Sequence, residues 1–226
     1  MTKQLTSPPI VSLMDRLKAE TRAAHNATEA IPFSTAMMAG TLPKSRYVGQ
    51  LAALAIVHRA LEQALSGSEH PTARAVWSSD LAKLPLLNRD LEYFSVERLE
   101  IPSAAMHAAE RFAAAIRETA GRDPAALLGT LYVLEGSTLG ATILRKPIAD
   151  AHGLDLDTAH GLAYYTPYGN QVMPHWRQFK QRMNEAVVDI ADQQRIVEAA
   201  REAFDHIGRI LKALSAGVTV APHDDG

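Results

Sequence analysis

The chain contains no cysteine among its 226 residues. That absence excludes disulfide bonds, thiolate metal ligands and a cysteine nucleophile. The formal net charge of −2 provides no broad basic field, so nucleic acid is not expected as a partner. No apolar run approaches the roughly 18 residues of a membrane span, and the N-terminus lacks the apolar core of a signal peptide. We therefore expect a cytoplasmic protein that binds neither nucleic acid nor membrane.

The hydrophobic periodicity is helical nearly throughout, and no alternating strand pattern is visible. It predicts helices over about 10–29, 45–65, 88–96, 103–120, 123–145, 173–187 and 191–214. The longest irregular stretch covers about 153–170. We expect a single all-α domain of seven or eight helices over residues 12–214, with an N-terminal arm at 1–11 and a flexible C-terminal tail at 215–226.

Several residues mark helix boundaries. Ser45, after a proline, is the expected cap of the second helix, and Asp123 followed by Pro124 is the expected start of the fifth. Pro147 predicts a break or kink at the end of that fifth helix. The expected apolar face of the first helix comprises Leu13, Leu17, Ala24 and Ala27.

The fifth helix carries two glycines, Gly136 and Gly140. Each costs about 1 kcal/mol relative to alanine in a helix interior. At a spacing of four residues they share one face of the helix, which therefore has a patch without side chains. Such a patch accepts either another backbone or a flat ligand, and periodicity does not distinguish the two.

Lys18, Arg22, His25 and Glu29 lie on one side of the first helix, at the edge of its apolar face. A neutral imidazole is a good iron ligand, and a carboxylate one turn away can orient it. The two cations can pair with the carboxylates of an anionic ligand. The alternative is a solvated edge with intrahelical charge pairs, each contributing a few tenths of a kcal/mol.

The other histidines compete with His25 as candidate ligands. His58 falls on the apolar side of its helix, where a hydrogen-bonded core histidine is the favoured interpretation. His206 can face either way, and His175 and His160 border the irregular region. The remaining histidines are expected at the surface: His70, His107, His152 and His223.

Two other catalytic designs do not fit the chain. A di-iron carboxylate bundle needs a Glu-x-x-His motif on two helices, and Glu202 and His206 are one residue too far apart for that motif. A serine hydrolase needs a Gly-x-Ser-x-Gly elbow after a strand, which the Gly136-Ser137 dipeptide does not provide.

The chain resembles heme oxygenases of the bacterial type. LKAETRAAHNATE at 17–29 is similar to the proximal helix of that family, and YVLEGSTLGATILRK at 132–146 is similar to its distal helix. Five further segments keep the family's order: RDLEYF at 89–94, DPAALLGTLYVLEG at 123–136, AYYTPYGNQ at 163–171, FKQRMN at 179–184 and EAAREAF at 198–204. The resemblance spans about 12–214 and implies the all-α heme oxygenase bundle.

The resemblance also implies roles for individual residues. It makes His25 the axial ligand of the heme iron, with Glu29 placed to hydrogen-bond it. It puts the backbones of Gly136 and Gly140 over the heme face, and these two glycines and Ser137 are the expected catalytic positions. The other expected heme contacts are Lys18, Arg22, Tyr132, Arg177, Lys180 and Phe204, where the basic residues face the propionates and Phe204 lines the pocket.

Two positions depart from the family pattern. Ser137 stands where the best-known members have an aspartate, and a hydroxyl cannot hold a fixed negative charge. Glu135 or ordered water is the expected substitute. The tyrosine that lines the pocket edge in some members aligns with Leu131, and Tyr132 stands one residue further on.

The function implied by the resemblance is oxidative opening of heme to biliverdin with release of CO and iron. Heme is then both substrate and prosthetic group, dioxygen is consumed, and electrons come from an external reductase or ferredoxin. The alternative is a non-enzymatic heme carrier or sensor on the same fold. A heme-free thiamin-degrading enzyme is a third candidate, disfavoured by the absence of cysteine.

Overall fold

The computed structural model describes residues 12–219, and this part of the chain contains nine α-helices and no strand. The helices are α1 (Leu13–Glu29), α2 (Pro32–Met38), α3 (Lys44–Ser66), α4 (Pro71–Val76), α5 (Leu84–Tyr93), α6 (Ser103–Arg122), α7 (Leu127–His152), α8 (Val172–Ala186) and α9 (Ile190–Leu214). The all-α prediction is confirmed. The expected number of helices was too low because α2 and α4 are short and each begins at a proline.

Helix α9 lies at the centre of the packing, since it contacts α1, α6 and α7, while α3 packs mainly on α6. Its approach to α7 requires a glycine. A Cβ added at Gly129 would lie 2.1 Å from the carbonyl oxygen of Ile196 and 2.7 Å from the backbone nitrogen of Ala200. The backbones of α7 and α9 are therefore in contact at Gly129, which fixes α7 on the core.

The boundary residues act differently from the sequence prediction. Pro43 precedes α3, so Ser45 lies in the first turn and does not cap it. Asp123 does precede a 3-10 turn at Pro124–Ala126, but its carboxylate accepts a 2.8 Å hydrogen bond from Arg195 Nε of α9. Helix α7 continues past Pro147 to His152, because Ile148 and Ala149, directly after the proline, are buried against the core.

Helix α7 is also the most apolar segment of the described chain. The stretch Pro124–His152 is long enough and, with a window of mean hydropathy 1.4, apolar enough to cross a membrane by length and composition alone, although charged residues interrupt its apolar run. Just over half of that window, 56%, is buried inside the fold. Burial against α9 gives this apolar helix the place of a core helix.

The residues that follow α9 lie against the fold. Ser215 Oγ accepts a 3.1 Å hydrogen bond from the backbone nitrogen of Phe33, and Arg46 Nη2 donates to the Ala216 carbonyl at 2.7 Å. The predicted arm, 1–11, and the end of the predicted tail, 220–226, lie outside the described residues.

Candidate functional site

Helix α1 is covered by protein over only its first half. Its buried residues end at Thr21, and most of the side chains at 22–29 are exposed. Ala27, expected on the apolar face, is exposed, and Ala24 is half-buried. The second half of α1 is therefore largely uncovered by the other described helices, apart from a contact with α9 at His25.

His25 lies in this uncovered half. Its side chain is 56% exposed, and its Nδ1 is 3.5 Å from Oε2 of Glu29, one turn further along. The ring of Phe204 on α9 stands edge-on to the imidazole, with the ring centroids 6.0 Å apart. Glu29 and Phe204 together orient the ring and leave its Nε2 free for a ligand.

The glycine pair of α7 faces open space. A Cβ at Gly140 would meet nothing within 4 Å, and one at Gly136 would make only an ordinary 3.7 Å contact with Trp176 Cη2. This differs from Gly129, where a neighbouring backbone leaves no room for a side chain. The question left open by the sequence is thereby answered: no backbone of the described chain occupies the patch at Gly136 and Gly140.

Helices α1 and α7 approach each other at Thr21 and Tyr132. Burial raises the pKa of the Tyr132 phenol, and a polar contact with Thr21 partly offsets the shift. His25 lies one helical turn beyond Thr21, and Gly136 lies one turn beyond Tyr132. The space between the uncovered half of α1 and the open patch of α7 therefore lies next to this contact. We call this space the α1–α7 cleft.

Helix α8 closes one side of the α1–α7 cleft. Trp176 packs on Tyr132, with ring centroids 6.0 Å apart, and Asn184 Oδ1 accepts a 3.0 Å hydrogen bond from the Met14 nitrogen of α1. Lys180 lies one turn from both Trp176 and Asn184, on the α8 face that borders α1 and α7. Arg177 is exposed, so the register favours Lys180 for a contact in the cleft.

The cations on α1 lie beside the same cleft. Lys18 and Arg22 are exposed and share a face with His25, as predicted from their spacing. Together with Lys180 they provide three positive charges near its edge. Carboxylates of a bound ligand are the natural counterions for such a set.

Ser137 is exposed directly after the first glycine, and its Oγ donates a 2.6 Å hydrogen bond to the Leu134 carbonyl. Thr138 and Thr142 bond back in the same way, to the carbonyls of Glu135 and Leu139, each at 2.7 Å. Back-bonding hydroxyls and glycines both weaken a helix locally. The part of α7 over the cleft is thus intrinsically less stable as a helix than a stretch without these residues.

Glu135 does not supply the missing carboxylate at Ser137. It is 2% exposed and belongs to a buried group with Lys83 and Tyr168, which we call the Lys83 cluster. Lys83 Nζ is 2.7 Å from Glu135 Oε2 and 2.8 Å from both Tyr168 Oη and the Leu81 carbonyl oxygen. The Tyr168 hydroxyl donates to Glu135 Oε1 at 2.8 Å. The expectation that Glu135 serves the cleft is therefore wrong.

Four of the other histidines pack against neighbouring side chains, whereas His107 and His160 are exposed. His58 is 3% exposed with its Nδ1 3.0 Å from Glu62 Oε1, which confirms the core interpretation, and burial lowers its pKa. His206, His175 and His152 stack on Phe112, Tyr168 and Tyr47 with ring centroids 4.7, 4.0 and 5.2 Å apart. His152 is thus not the surface residue expected, and His223 lies outside the described residues.

No cluster of three or more His, Asp or Glu side chains within residues 12–219 is placed to hold a metal ion. A protein-chelated metal centre therefore has no support in this part of the chain. The donor set, one oriented imidazole with cations around it, fits a metal that arrives inside an anionic macrocycle. The residues present thus fit heme.

Comparisons with known proteins agree with this geometry. The family model described as heme oxygenase matches residues 11–213. Heme oxygenase 2 of Macaca fascicularis is 29% identical, over 94% of this chain and 68% of that protein. Heme oxygenase 1 of Nostoc sp. is 26% identical, over 93% of this chain and 89% of that protein.

Solved structures share the fold. Heme oxygenase-1 from the cyanobacterium Synechocystis, in complex with heme, superposes with a TM-score of 0.81 at 23% identity, over 92% of this chain and 94% of the other. Heme oxygenase from Leptospira interrogans gives 0.79 at 22% identity, over 89% and 99%. The family match covers most of the sequence. The chain therefore belongs to the heme oxygenase family and is an enzyme that degrades heme with dioxygen and externally supplied electrons.

Proposed function

We propose that heme binds in the α1–α7 cleft with His25 Nε2 as its axial ligand. The observation that carries this assignment is the pair of open faces on either side of the cleft. His25 lies on the uncovered half of α1, and the patch at Gly136 and Gly140 meets no protein backbone. Nothing in the described residues favours a heme carrier or sensor over the enzyme of the family.

The residues around the cleft have two roles in binding heme: they orient the axial histidine and they bind the propionates. Glu29 Oε2 lies 3.5 Å from His25 Nδ1 and is placed to accept a hydrogen bond from Nδ1–H once the ring is held by a ligand, which would fix the tautomer with Nε2 as the free donor atom. Phe204 limits rotation of the ring. Lys18, Arg22 and Lys180 pair with the two propionates and set the in-plane orientation of the ring. Arg177 is exposed and is the weaker candidate for this role.

Bound heme supplies the iron that activates dioxygen and the ring that is oxidised, so the protein needs no nucleophile of its own. The protein keeps the distal side narrow and admits a small gas molecule. Gly136 and Gly140 leave that room because neither has a side chain, and Trp176 closes the end next to Gly136. Ser137 offers a hydroxyl at the rim of the same space.

The enzyme opens the ring to biliverdin and releases CO and iron. We further propose that a reductase or ferredoxin delivers the electrons and that the protein works in the cytoplasm. The basic residues Lys18 and Arg22 are exposed at the edge of the cleft, so an acidic electron donor that docks there would approach the heme edge.

The function is tested by adding hemin to the purified protein and then reducing it in air with a reductase system. We expect saturable binding of one hemin, followed by loss of the Soret band and the appearance of biliverdin, identified by its absorption and by chromatography. A stable reduced complex without ring opening would instead indicate a carrier. Failure to bind hemin would contradict the proposal altogether.

Gly140→Leu is expected to slow ring opening and to stabilise the apoprotein. Because a Cβ at this position meets nothing within 4 Å, the substitution removes the helix penalty of glycine, about 0.5–1 kcal/mol, without a clash at the backbone. In the holoprotein it fills the space needed by dioxygen. We expect at least about a tenfold fall in the rate of biliverdin formation, or about 1.4 kcal/mol on the barrier.

Gly121→Leu is the matched control for Gly140→Leu. Gly121 also lies in a helix, and an added Cβ there also meets nothing within 4 Å, but it lies in α6 away from the cleft. A similar gain in the free energy of unfolding with unchanged turnover is the expected result. Equal rates for the wild type and Gly140→Leu would refute the distal role of Gly140.

A further inference from the structure

Tyr164 places a buried hydroxyl behind the exposed Ser137. The tyrosine is 7% exposed, and its Oη lies 3.5 Å from Ser137 Oγ, its one hydrogen-bond contact within the described chain. Burying a phenol hydroxyl costs free energy unless it is hydrogen-bonded. Phenylalanine would fill the same space without this cost. The hydroxyl is therefore not explained by packing.

The backbone and ring of Tyr164 are fixed independently of Ser137. Asp90, which is fully buried, accepts hydrogen bonds from the backbone nitrogens of Ala163 and Tyr164, both at 2.8 Å. The Tyr164 ring stands edge-on to His58 and Tyr165, with centroid distances of 5.9 and 5.4 Å. These contacts hold the phenol in place whether or not the cleft is filled.

The phenol keeps its proton at working pH. Burial raises the pKa of Tyr164 to about 12, and the nearby carboxylates of Glu135 and Glu62 add to the rise. The neighbouring His58 stays neutral because burial lowers its pKa. Asp90 is committed to backbone nitrogens and accepts no proton from the phenol. Tyr164 thus keeps a proton that it can donate toward Ser137, whose own O–H is directed to the Leu134 carbonyl.

We propose that Tyr164 is a positioning residue for Ser137. The Tyr164 O–H donates to Ser137 Oγ, which allows the serine to turn its own O–H from the Leu134 carbonyl into the cleft. There the serine O–H donates to a small acceptor ligand on the distal side, next to Gly140. The inference rests on the proposed function, because it assumes heme in the α1–α7 cleft.

Tyr164 and Ser137 form a neutral pair, which differs from the aspartate that the best-known members have in place of Ser137. The direction of the Ser137 O–H is set by a neighbour that cannot ionise in the working range, so the donor does not depend on a fixed charge. The two coupled hydroxyls also polarise each other. Removal of either one should therefore weaken binding of the distal acceptor ligand nearly as much as removal of both.

Fluoride binding to the ferric hemin complex tests the inference without turnover. Fluoride accepts hydrogen bonds, whereas imidazole binds iron mainly through its nitrogen and serves as the comparison probe. For Tyr164→Phe we expect the fluoride Kd to rise about fivefold, the loss of one ordinary hydrogen bond, with an unchanged imidazole Kd. Ser137→Ala should give the same rise, and the double variant should add little to it.

Tyr165→Phe is the matched control. Tyr165 is also buried, but its hydroxyl donates to Gln50 Oε1 at 2.7 Å, away from Ser137. We expect lower stability and an unchanged fluoride Kd. An unchanged fluoride Kd in Tyr164→Phe, or an equal rise in Tyr165→Phe, would overturn the inference. Should Tyr164→Phe fail to fold, an unchanged fluoride Kd in Ser137→Ala would overturn it equally.

The wild type separates failure of this inference from failure of the proposed function. If the wild type opens heme and only the fluoride prediction fails, Tyr164 has no role in positioning Ser137. If the wild type binds no hemin, the α1–α7 cleft is not the heme site and both proposals fall together.

Discussion

His25→Ala is expected to abolish heme ring opening while leaving the fold intact. The side chain is more than half exposed, and its close contacts are Glu29 and Phe204. Its removal should change the free energy of unfolding by no more than about 0.5 kcal/mol, as at other exposed positions. On the proposed assignment, heme then loses its axial ligand. Biliverdin formation should fall to the rate of free hemin, and the Soret band should shift.

Added imidazole should rescue His25→Ala. The exposed position of the ring leaves a path for an exogenous imidazole to the vacated space. Partial return of the wild-type spectrum and of biliverdin formation would separate loss of the ligand from damage to the fold. His107→Ala, an exposed histidine on α6, is the control and should behave as wild type. A wild-type spectrum in His25→Ala would show that another residue binds the iron.

The arrangement of His25 could be predicted in part from the sequence. Spacing alone placed it with Lys18, Arg22 and Glu29 on one face, and the structure has all four on the same helix. Spacing could not show that the face is uncovered, because that depends on which helices pack elsewhere. Ala27 illustrates the limit: its pattern suggested burial, but most side chains in the second half of α1 are exposed.

The surroundings of the three glycines in α7 were harder to predict from the sequence than the position of His25. Gly129, Gly136 and Gly140 all lie in α7 and have the same helix penalty. One of them is required by the backbone of α9 and the other two face open space. The difference arises from tertiary contacts about 70 residues away in sequence, which no local pattern records. The ligand interpretation of Gly136 and Gly140 needed the resemblance.

Long-range polar partners were not predictable at all. Lys83 follows a short loop and has the pattern of a surface residue, yet it is 1% exposed and pairs with a residue 52 positions away. Trp176, which lies against Gly136, likewise gave no signal beyond its place on an amphipathic helix. Burial of a charged side chain can be predicted only when its counterion has been located, because an unpaired buried charge is strongly destabilising.

Lys83→Met is expected to destabilise the protein by about 3–5 kcal/mol, because it leaves the buried Glu135 carboxylate without its counterion. Lys83 Nζ donates to Glu135, Tyr168 and the Leu81 carbonyl, so all three acceptors lose a partner. The measurement is urea unfolding of the apoprotein. Lys146→Met is the matched control, since its pair with Asp150 on the same helix is exposed and should contribute less than about 1 kcal/mol.

The double variant Lys83→Met with Glu135→Leu decides whether desolvation is the cause. Buried ion pairs replaced by apolar residues of similar size are often neutral in stability, so the double variant should recover most of the loss. Glu135 directly precedes Gly136, so the single variant also frees the part of α7 that lies over the cleft. We expect its hemin affinity to fall and that of the double variant to recover with stability. Equal destabilisation by the single and double variants would show that packing of the lysine stem, and not the uncompensated charge, holds this helix in place.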